Sequence, residues 1–402
     1  MGKSLAGILV ETKVRNGIVS EMVVGIGLNT NKEKFEGELA GKATSIKKEF
    51  GVSVEREKFI SALFWKKDKS PVPLSFLLES WENWEKGVCM KIGFLFPGQG
   101  AQYVGMCKDF YEKYDKVKAK YEKVKEITGI DIAEISFNGD ESVLNETKNT
   151  QLAVLTMSLA ILELLKENGV EADILAGLSL GEYAALIHGK ALAFEDGVKV
   201  VQKRGEFMQN LLPDGEWQMA AIIGLEDEAI ENVCNSITSG FVVPANYNTK
   251  GQVVISGEKI AVEEASIIAK EKGAKLVNVI KTSGPFHTEK LIESAKALRE
   301  VLDNTIFNSF ETTVIKNIDG EKYSEQDDIR EVLEKHIISP VRFSKSLQTM
   351  IDMGVDTFVE VGPGKTLSGF AKRIKTDRKI NILNINSVET FEDALVKLKG
   401  DV

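Results

Sequence analysis

The chain has 402 residues, which is enough for two or three domains with a buried core. Apolar residues make up 43% and charged residues 28%, and the net charge of −9 argues against nucleic acid as the main partner. No apolar run reaches membrane-spanning length without a charge, and the N-terminus lacks the apolar core of a signal peptide. The cysteines are far apart and lack metal-ligand spacing, so we expect a cytoplasmic protein without a metal or membrane segment.

The first residues of the chain predict a β-hairpin. Leu5–Val14 and Ile18–Leu28 are rich in Val, Ile and Leu. Between them, Asn16-Gly17 favours the positive φ of a tight turn. Further along, Ala43–Phe50 is predicted to begin a short helix.

Three segments of this region, Leu5–Glu11, Val23–Asn31 and Ala43–Ile46, resemble the late part of the catalytic domain of biotin protein ligases. The glycine- and arginine-rich loop with which that family holds activated biotin has no counterpart here, and half a domain cannot bury its own core. We therefore expect residues 1–89 to be a partial biotin-protein-ligase-like segment and linker without ligase activity. We interpret Met90 as the natural start of an enzyme, joined to the earlier residues by gene fusion or a mistaken gene start. A divergent N-terminal domain is the alternative.

From Met90 onward, strand-like and helix-like segments alternate, which predicts an α/β layer with a parallel sheet. The predicted strands are Ile92–Phe96, Thr313–Asn317 and Thr357–Val361, with a terminal strand–helix pair near 382–398. The predicted helices are Tyr114–Ile127, Leu152–Glu167 and Phe194–Leu211.

Residues 212–281 are predicted to form an inserted domain with the order β-α-β-β-α-β, which is the ferredoxin-like arrangement. Its predicted elements are Met219–Leu225, Asp227–Ser236, Val242–Asn248, Gln252–Ser256, Val262–Lys272 and Leu276–Ile280. The larger domain would then comprise residues 90–211 and 282–402.

The segment Gly177-Leu178-Ser179-Leu180-Gly181 has the Gly-x-Ser-x-Gly pattern of a nucleophile elbow. An apolar strand-like run precedes it and the helix-prone run Glu182–Ile187 follows, which is the setting that such a turn requires. The glycines would let the backbone crowd around a strained turn that presents the Ser179 hydroxyl. A chance match on a glycine-containing turn is the alternative, and the flanking strand and helix favour the nucleophile.

The sequence contains three histidines as candidate bases. His188 lies two and a half turns along the helix that follows Ser179, cannot reach the hydroxyl, and is interpreted as structural. His287 follows a Gly-Pro turn and is either the general base for Ser179 or a structural residue. His336, taken alone, is interpreted as structural.

Seven motifs from Met90 to near the C-terminus together resemble, in order and spacing, the malonyl-CoA:acyl carrier protein transacylases. They are Phe96–Gln102, Gly177–Glu182, Arg204–Gln209, Ala245–Asn248 with Gly251–Gly257, Gly284–His287, Ser339–Arg342 and Glu360–Gly364. The resemblance implies an α/β-hydrolase-like acyltransferase domain with a parallel sheet and an inserted ferredoxin-like subdomain. It also implies transfer of malonyl from malonyl-CoA to the phosphopantetheine thiol of holo acyl carrier protein, for fatty acid or polyketide synthesis.

The same resemblance implies roles for individual residues and requires no cofactor. Ser179 would be the nucleophile and His287 the base, oriented by the main-chain oxygen of His336. The backbone amides of Gln99 and Leu180 would hold the oxyanion.

Arg204 would pair with the free malonyl carboxylate through its two-pronged guanidinium. Without the resemblance, Arg204 is interpreted as a solvated arginine on a helix surface, as most arginines are.

Two positions depart from the family pattern. Leu178 stands where the family often has His, and His336 stands where it often has Gln. Leu178 removes a polar contact near the site and is expected to change acyl preference or rate. Two other functions stay open: a serine acyltransferase or esterase of other acyl specificity, which needs no carboxylate clamp, and a non-catalytic module that binds carrier protein.

Overall fold

The structure is a computed structural model that describes residues 90–280, 282 and 284–399, and the backbone of four short strands before them. These strands are β1 (Ser4–Leu5), β2 (Ile8–Arg15), β3 (Ile18–Ile26) and β4 (Ala43–Thr44). Strands β2 and β3 pair antiparallel, as the hairpin prediction requires.

Strand β4 corrects the helix prediction for the first two residues of Ala43–Phe50, and the other six lie outside the described residues. It pairs in parallel with β1, so its backbone groups bond to another strand instead of to a following turn. The other residues before Met90, including several of those that carry the resemblance to biotin ligases, lie outside the described residues.

Contacts within the chain divide it into two compact units, Met1–Cys89 and Met90–Val402. The strands of the second unit are β5 (Ile92–Phe96), β6 (Ile174–Gly177), β7 (Trp217–Ile223), β8 (Val242–Thr249), β9 (Gln252–Glu258), β10 (Leu276–Ile280), β11 (Thr313–Ile315), β12 (Thr357–Val361) and β13 (Asn381–Ile385). The assignment of domains within it, with boundaries at residues 211 and 281, stays a prediction.

Helices connect most of these strands. They are α1 (Lys108–Lys113), α2 (Asp115–Thr128), α3 (Ile132–Phe137), α4 (Glu141–Leu144), α5 (Thr147–Glu167), α6 (Gly181–His188), α7 (Phe194–Asn210), α8 (Asp227–Ser236), α9 (Lys259–Glu271), α10 (Ile292–Asp303), α11 (Ile329–Ile338), α12 (Phe343–Asp352), α13 (Thr366–Ala371) and α14 (Val388–Lys399). No helix in the described part of the chain has the length and apolar character needed to cross a membrane.

The larger sheet is entirely parallel, with the strand order β11-β6-β5-β12-β13. Successive side chains of β5 enter different cores, since Phe94 and Phe96 pack in one cluster and Leu95 in another. Both faces are therefore covered, which explains why every residue of β6 and β12 is buried. The predicted parallel α/β sheet is confirmed.

The smaller sheet is antiparallel with the order β10-β7-β9-β8. Helices α8 and α9 cover one face, where Ile222 and Ile255 pack against Ile230 and Val262. Met219 points to the other face and joins the core of the large sheet. The predicted β-α-β-β-α-β order and its ferredoxin-like sheet are confirmed.

Strand β5 lies between β6 and β12, where the strand order reverses direction along the chain. In open α/β sheets the loops that leave the carboxyl ends of strands diverge at such a point and form a crevice. The loops that follow Phe96 and Gly177 meet there.

Glycine is required where these two loops cross. A Cβ on Gly177 would lie 1.9 Å from the backbone carbon of Gly181, and a Cβ on Gly181 would lie 2.0 Å from the oxygen of Phe96. Any side chain at either position would separate β5, β6 and the start of α6.

We expect Gly177→Ala to lower the free energy of unfolding by roughly 3 kcal/mol, because backbone atoms cannot move aside as a flexible side chain does. Urea denaturation measures this change. Gly369→Ala is the matched control: Gly369 lies in α13 with no atom within 4 Å of an added Cβ. It should be neutral or stabilising by ~0.5–1 kcal/mol. Equal effects of the two substitutions would contradict the crowding argument.

Candidate active site

Ser179 lies at the tip of the turn between β6 and α6. Its φ of 53° is in the left-handed region, which a non-glycine residue seldom adopts. Helix α6 begins two residues later, at Gly181, so its N-terminus lies directly behind the hydroxyl. This geometry is that of a strained nucleophile elbow.

The Ser179 hydroxyl is hydrogen-bonded to His287, with 2.8 Å between Oγ and Nε2. His287 also has a left-handed φ, 60°, and its side chain is buried. The two residues are 108 positions apart, and the loop after β10 brings the imidazole to the serine. Both residues that form this hydrogen bond therefore have a strained backbone.

A main-chain oxygen orients the imidazole. The Nδ1 of His287 lies 3.0 Å from the carbonyl oxygen of His336. A carbonyl only accepts, so Nδ1 carries the proton and Nε2 of the neutral ring accepts from the Ser179 hydroxyl.

The position of this carbonyl in its helix explains why it is free. His336 lies in the last turn of α11, and the residue four positions later, whose N–H would normally bond to this oxygen, is Pro340. Because the acceptor belongs to the backbone, it is present whichever side chain stands at position 336. The His336 ring is itself fully buried and stacks on that of His287, with centroids 5.3 Å apart.

Burial and the positive charge of Arg204 lower the pKa of His287 to about 4. At neutral pH the ring is therefore uncharged and able to accept the serine proton.

We expect the rate constant for acylation of Ser179 to be constant between about pH 5.5 and 8 and to fall only as the pH approaches about 4. The sign follows from the lowered pKa, since protonation of the base requires a more acidic solution than for an ordinary histidine. Single-turnover measurements after a pH jump would test this. A midpoint near 6.5, the ordinary histidine pKa, would contradict it.

Arg204, on α7, is 1% exposed, so its interpretation as a solvated surface residue is wrong. Its Nη1 donates to Oε1 of Gln151 at 2.6 Å and its Nη2 to Oγ of Ser179 at 3.1 Å, while the guanidinium lies over the ring of Tyr183. All three neighbours are uncharged, and no described carboxylate forms a salt bridge with it. A buried guanidinium without a paired anion is a site prepared for an anionic group.

The backbone amides of Gln99 and Leu180 lie in the two loops that cross at the site. A Cβ on Gly98 would come within 2.4 Å of the oxygen of Leu178, so the loop that carries Gln99 rests on the serine turn. Neither amide donates a hydrogen bond to any described residue. Both are therefore available to a developing oxyanion.

Sequence reasoning missed a buried polar network beneath the serine turn. Asn317 follows β11, and its side chain bonds to the N–H of Ser179 and the carbonyl of Gly177, while Glu182 accepts hydrogen bonds from Asn317 and Tyr323. Burial raises the pKa of Glu182 to about 7. Glu182 belongs to the motif Gly177–Glu182, so the sequence contains a signal for it. No local pattern indicates Asn317 or Gln151, because their partners lie far away in the sequence.

The remaining histidine, His188, lies at the end of α6, where its ring contacts that of Phe94 at 5.8 Å between centroids. Burial lowers its pKa to about 4.

Among the described residues, no group of His, Cys, Asp and Glu side chains could hold a metal ion. The site thus consists of a serine, a neutral histidine, an unpaired guanidinium and two free amides.

Comparisons with known proteins agree with this geometry. Residues 93–383 match the family described as the acyl transferase domain. The chain is 43% identical over 313 residues to the malonyl CoA-acyl carrier protein transacylase of Bacillus subtilis, covering 77% of this chain and 98% of that protein. The crystal structure of the transacylase of the same name from Clostridium perfringens has a TM-score of 0.73 and 43% identity, over 77% of this chain and 97% of the other.

A third similar structure, 33% identical with a TM-score of 0.73, contains a malonyl-transacylase in complex with a type II PKS acyl-carrier protein; it covers 76% of this chain and 99% of that one. The chain belongs to the acyl transferase family and, within it, to the group of the malonyl CoA-acyl carrier protein transacylases. The family match begins at residue 93, so it does not support the resemblance of the first residues to biotin ligases.

Proposed function

We propose that this protein transfers the malonyl group from malonyl-CoA to the phosphopantetheine thiol of holo acyl carrier protein, through a malonyl-serine intermediate. The observation that carries the proposal is the buried Arg204, which forms no salt bridge with a described carboxylate and contacts the Ser179 hydroxyl. The free carboxylate of a malonyl group is separated from its thioester carbonyl by a single methylene carbon. An anion bound to Arg204 therefore places the carbonyl at the nucleophile.

In the first half-reaction, Ser179 Oγ attacks the thioester carbonyl and its proton passes to His287 Nε2. The negative charge on the carbonyl oxygen is stabilised by the amides of Gln99 and Leu180. Collapse of the tetrahedral intermediate breaks the carbon–sulfur bond, and the departing CoA sulfur takes the proton from His287. The products are malonyl-Ser179 and CoA.

In the second half-reaction, the phosphopantetheine thiol gives its proton to His287 and attacks the malonyl ester. The carbon–oxygen bond to Ser179 breaks, and the proton returns to Oγ. The same groups act in reverse order, so the complete transfer needs no metal or redox cofactor.

The identity of the partner is supported by the relative that was solved with a carrier protein bound. A cytoplasmic location agrees with the described cysteines, since Cys107 and Cys234 are free thiols. The product would feed fatty acid or polyketide synthesis.

The proposal is tested by intact-protein mass after brief mixing with malonyl-CoA. We expect a single malonyl adduct that disappears when holo acyl carrier protein is added and that does not form on Ser179→Ala. An adduct from acetyl-CoA or longer acyl-CoA, but none from malonyl-CoA, would replace the proposal with a serine acyltransferase of other specificity. No adduct from any donor would favour a non-catalytic module that binds carrier protein.

A further inference from the structure

We propose that Asn317 is a positioning residue, whose side-chain amide holds the left-handed backbone of Ser179 and so sets where the nucleophilic hydroxyl stands. The inference rests on the proposed function and adds a residue to it. Asn317 does not touch the substrate in this role and acts through the serine.

One planar amide bonds to two backbone groups on the N-terminal side of Ser179. Oδ1 of Asn317 accepts from the backbone N–H of Ser179 at 2.7 Å, and Nδ2 donates to the carbonyl oxygen of Gly177 at 2.6 Å. Both bonds are short, and the Nδ2 bond is fully buried. The amide therefore bridges Leu178 and fixes the N–H of Ser179, whose φ is 53°, and it supplies partners that a regular strand or helix would otherwise provide.

Asn317 is itself held rigidly. It is fully buried, its N–H donates to Oε2 of Glu182 at 3.0 Å, and its carbonyl accepts from the N–H of Arg342 at 2.8 Å. The other oxygen of Glu182 accepts from the hydroxyl of Tyr323 at 2.6 Å. Because Glu182 lies on α6 directly after the turn, the network ties both ends of the turn to the segment after β11.

This arrangement also decides which amides serve the oxyanion. The N–H of Ser179 is already engaged by Asn317, so it cannot donate to the substrate. The amides of Gln99 and Leu180 remain free, and their aim depends on how the turn is held. A small rotation of the turn would misdirect the hydroxyl and the Leu180 amide together. It would therefore slow the reaction, because the rate depends on the preset positions of these groups.

The test is the single-turnover malonylation of Asn317→Asp, followed by intact mass over a range of malonyl-CoA concentrations. This variant is nearly isosteric and keeps the acceptor for Ser179, but at pH 8 it faces the Gly177 oxygen with a carboxylate that cannot donate. We expect the maximal rate constant to fall at least tenfold while the half-saturating malonyl-CoA concentration changes less than about twofold. Asn304→Asp is the matched control, since Asn304 is exposed and likewise donates through Nδ2 to a backbone carbonyl.

The pH dependence of the rate is a second measurement, and a purely structural role of Asn317 would not change it. Protonation of the new carboxyl restores a donor toward Gly177, so the rate relative to the wild type should recover in acid. Among the described residues, the titratable and charged groups of this network are Glu182, which bonds to Asn317, and Tyr323, His336, Arg204 and Asp319, which interact with Glu182; both proteins contain them. The ratio of variant to wild type therefore reports on the substituted group.

A rate equal to that of the wild type, or a loss confined to the half-saturating concentration, would overturn the proposal. If Asn317→Asp does not fold, Asn317→Ala is used instead, because it introduces no charge. It should likewise lower the maximal rate constant and leave the half-saturating malonyl-CoA concentration nearly unchanged. An Asn317→Ala rate equal to wild type would overturn the proposal equally. Absence of an adduct in the wild type would instead contradict the proposed function, so the two failures are distinguishable.

Discussion

Replacing His287 with alanine is expected to slow malonylation of Ser179 by roughly 10³- to 10⁴-fold at neutral pH, since no other group in the described part of the chain is placed to accept the serine proton. The 2.8 Å contact with Ser179 Oγ makes the imidazole the direct acceptor, and its lowered pKa keeps it unprotonated. The rate constant is measured by quenched mixing with excess malonyl-CoA and intact mass. Transfer to carrier protein should fall by a similar factor, since the same base serves both half-reactions.

His188→Ala is the matched control for that experiment. It removes a partly buried histidine that contacts Phe94 and is not bonded to Ser179. Its acylation rate should stay within about twofold of the wild type, with a small loss of stability from the ring contact. A loss in His188→Ala as large as that in His287→Ala would show that the assay reports folding instead of proton transfer.

Arg204→Ala is expected to reduce acylation by malonyl-CoA roughly 10²- to 10³-fold and to raise acylation by acetyl-CoA. The guanidinium is buried and contacts only uncharged side chains among the described residues, so a malonyl carboxylate gains a desolvated, charge-assisted pair there. An acetyl group offers no anion and leaves the cation unpaired. The measurement is the ratio of the two acylation rate constants in each protein.

Two further substitutions separate charge from geometry. Arg204→Lys keeps a cation without the planar fork and should give an intermediate selectivity. Arg299→Ala removes an arginine that is paired with Asp303 and Glu334 at the surface, and it should leave the ratio unchanged. An unchanged ratio in Arg204→Ala would remove the basis for a malonyl-specific site and favour an esterase-like function.

Several elements of the fold were predictable because their signals are local. Strands β5 and β12 were predicted with their observed ends from short apolar runs bounded by turns, and helix α7 was predicted to within one residue. The inserted sheet was predicted from the order of its elements. The helical prediction was wrong for Ala43 and Thr44, because pairing with β1 overrode the local preference.

The site was predictable only in part. The pattern around Ser179 pointed to the nucleophile from its own neighbours, but Arg204 by itself indicated a surface residue. Burial against Tyr183 and Gln151, which lie on other helices, reverses that interpretation. Asn317 had no signal, since an asparagine after a strand is an ordinary turn residue.

The sequence by itself determined the local chemistry of this protein: the glycines that permit a strained serine turn, the periodicity of its strands and helices, and the proline that leaves the His336 carbonyl free. Each depends on residues within a few positions of one another. Only the tertiary structure decided which groups meet, because Ser179 bonds to residues 108 and 138 positions away. The order of the parallel strands brings the loops after β5, β6 and β11 to one edge of that sheet, and the loop after β10 of the smaller sheet brings His287 there. Burial at that edge then leaves an ordinary arginine without a salt bridge to any described carboxylate and keeps an ordinary histidine uncharged.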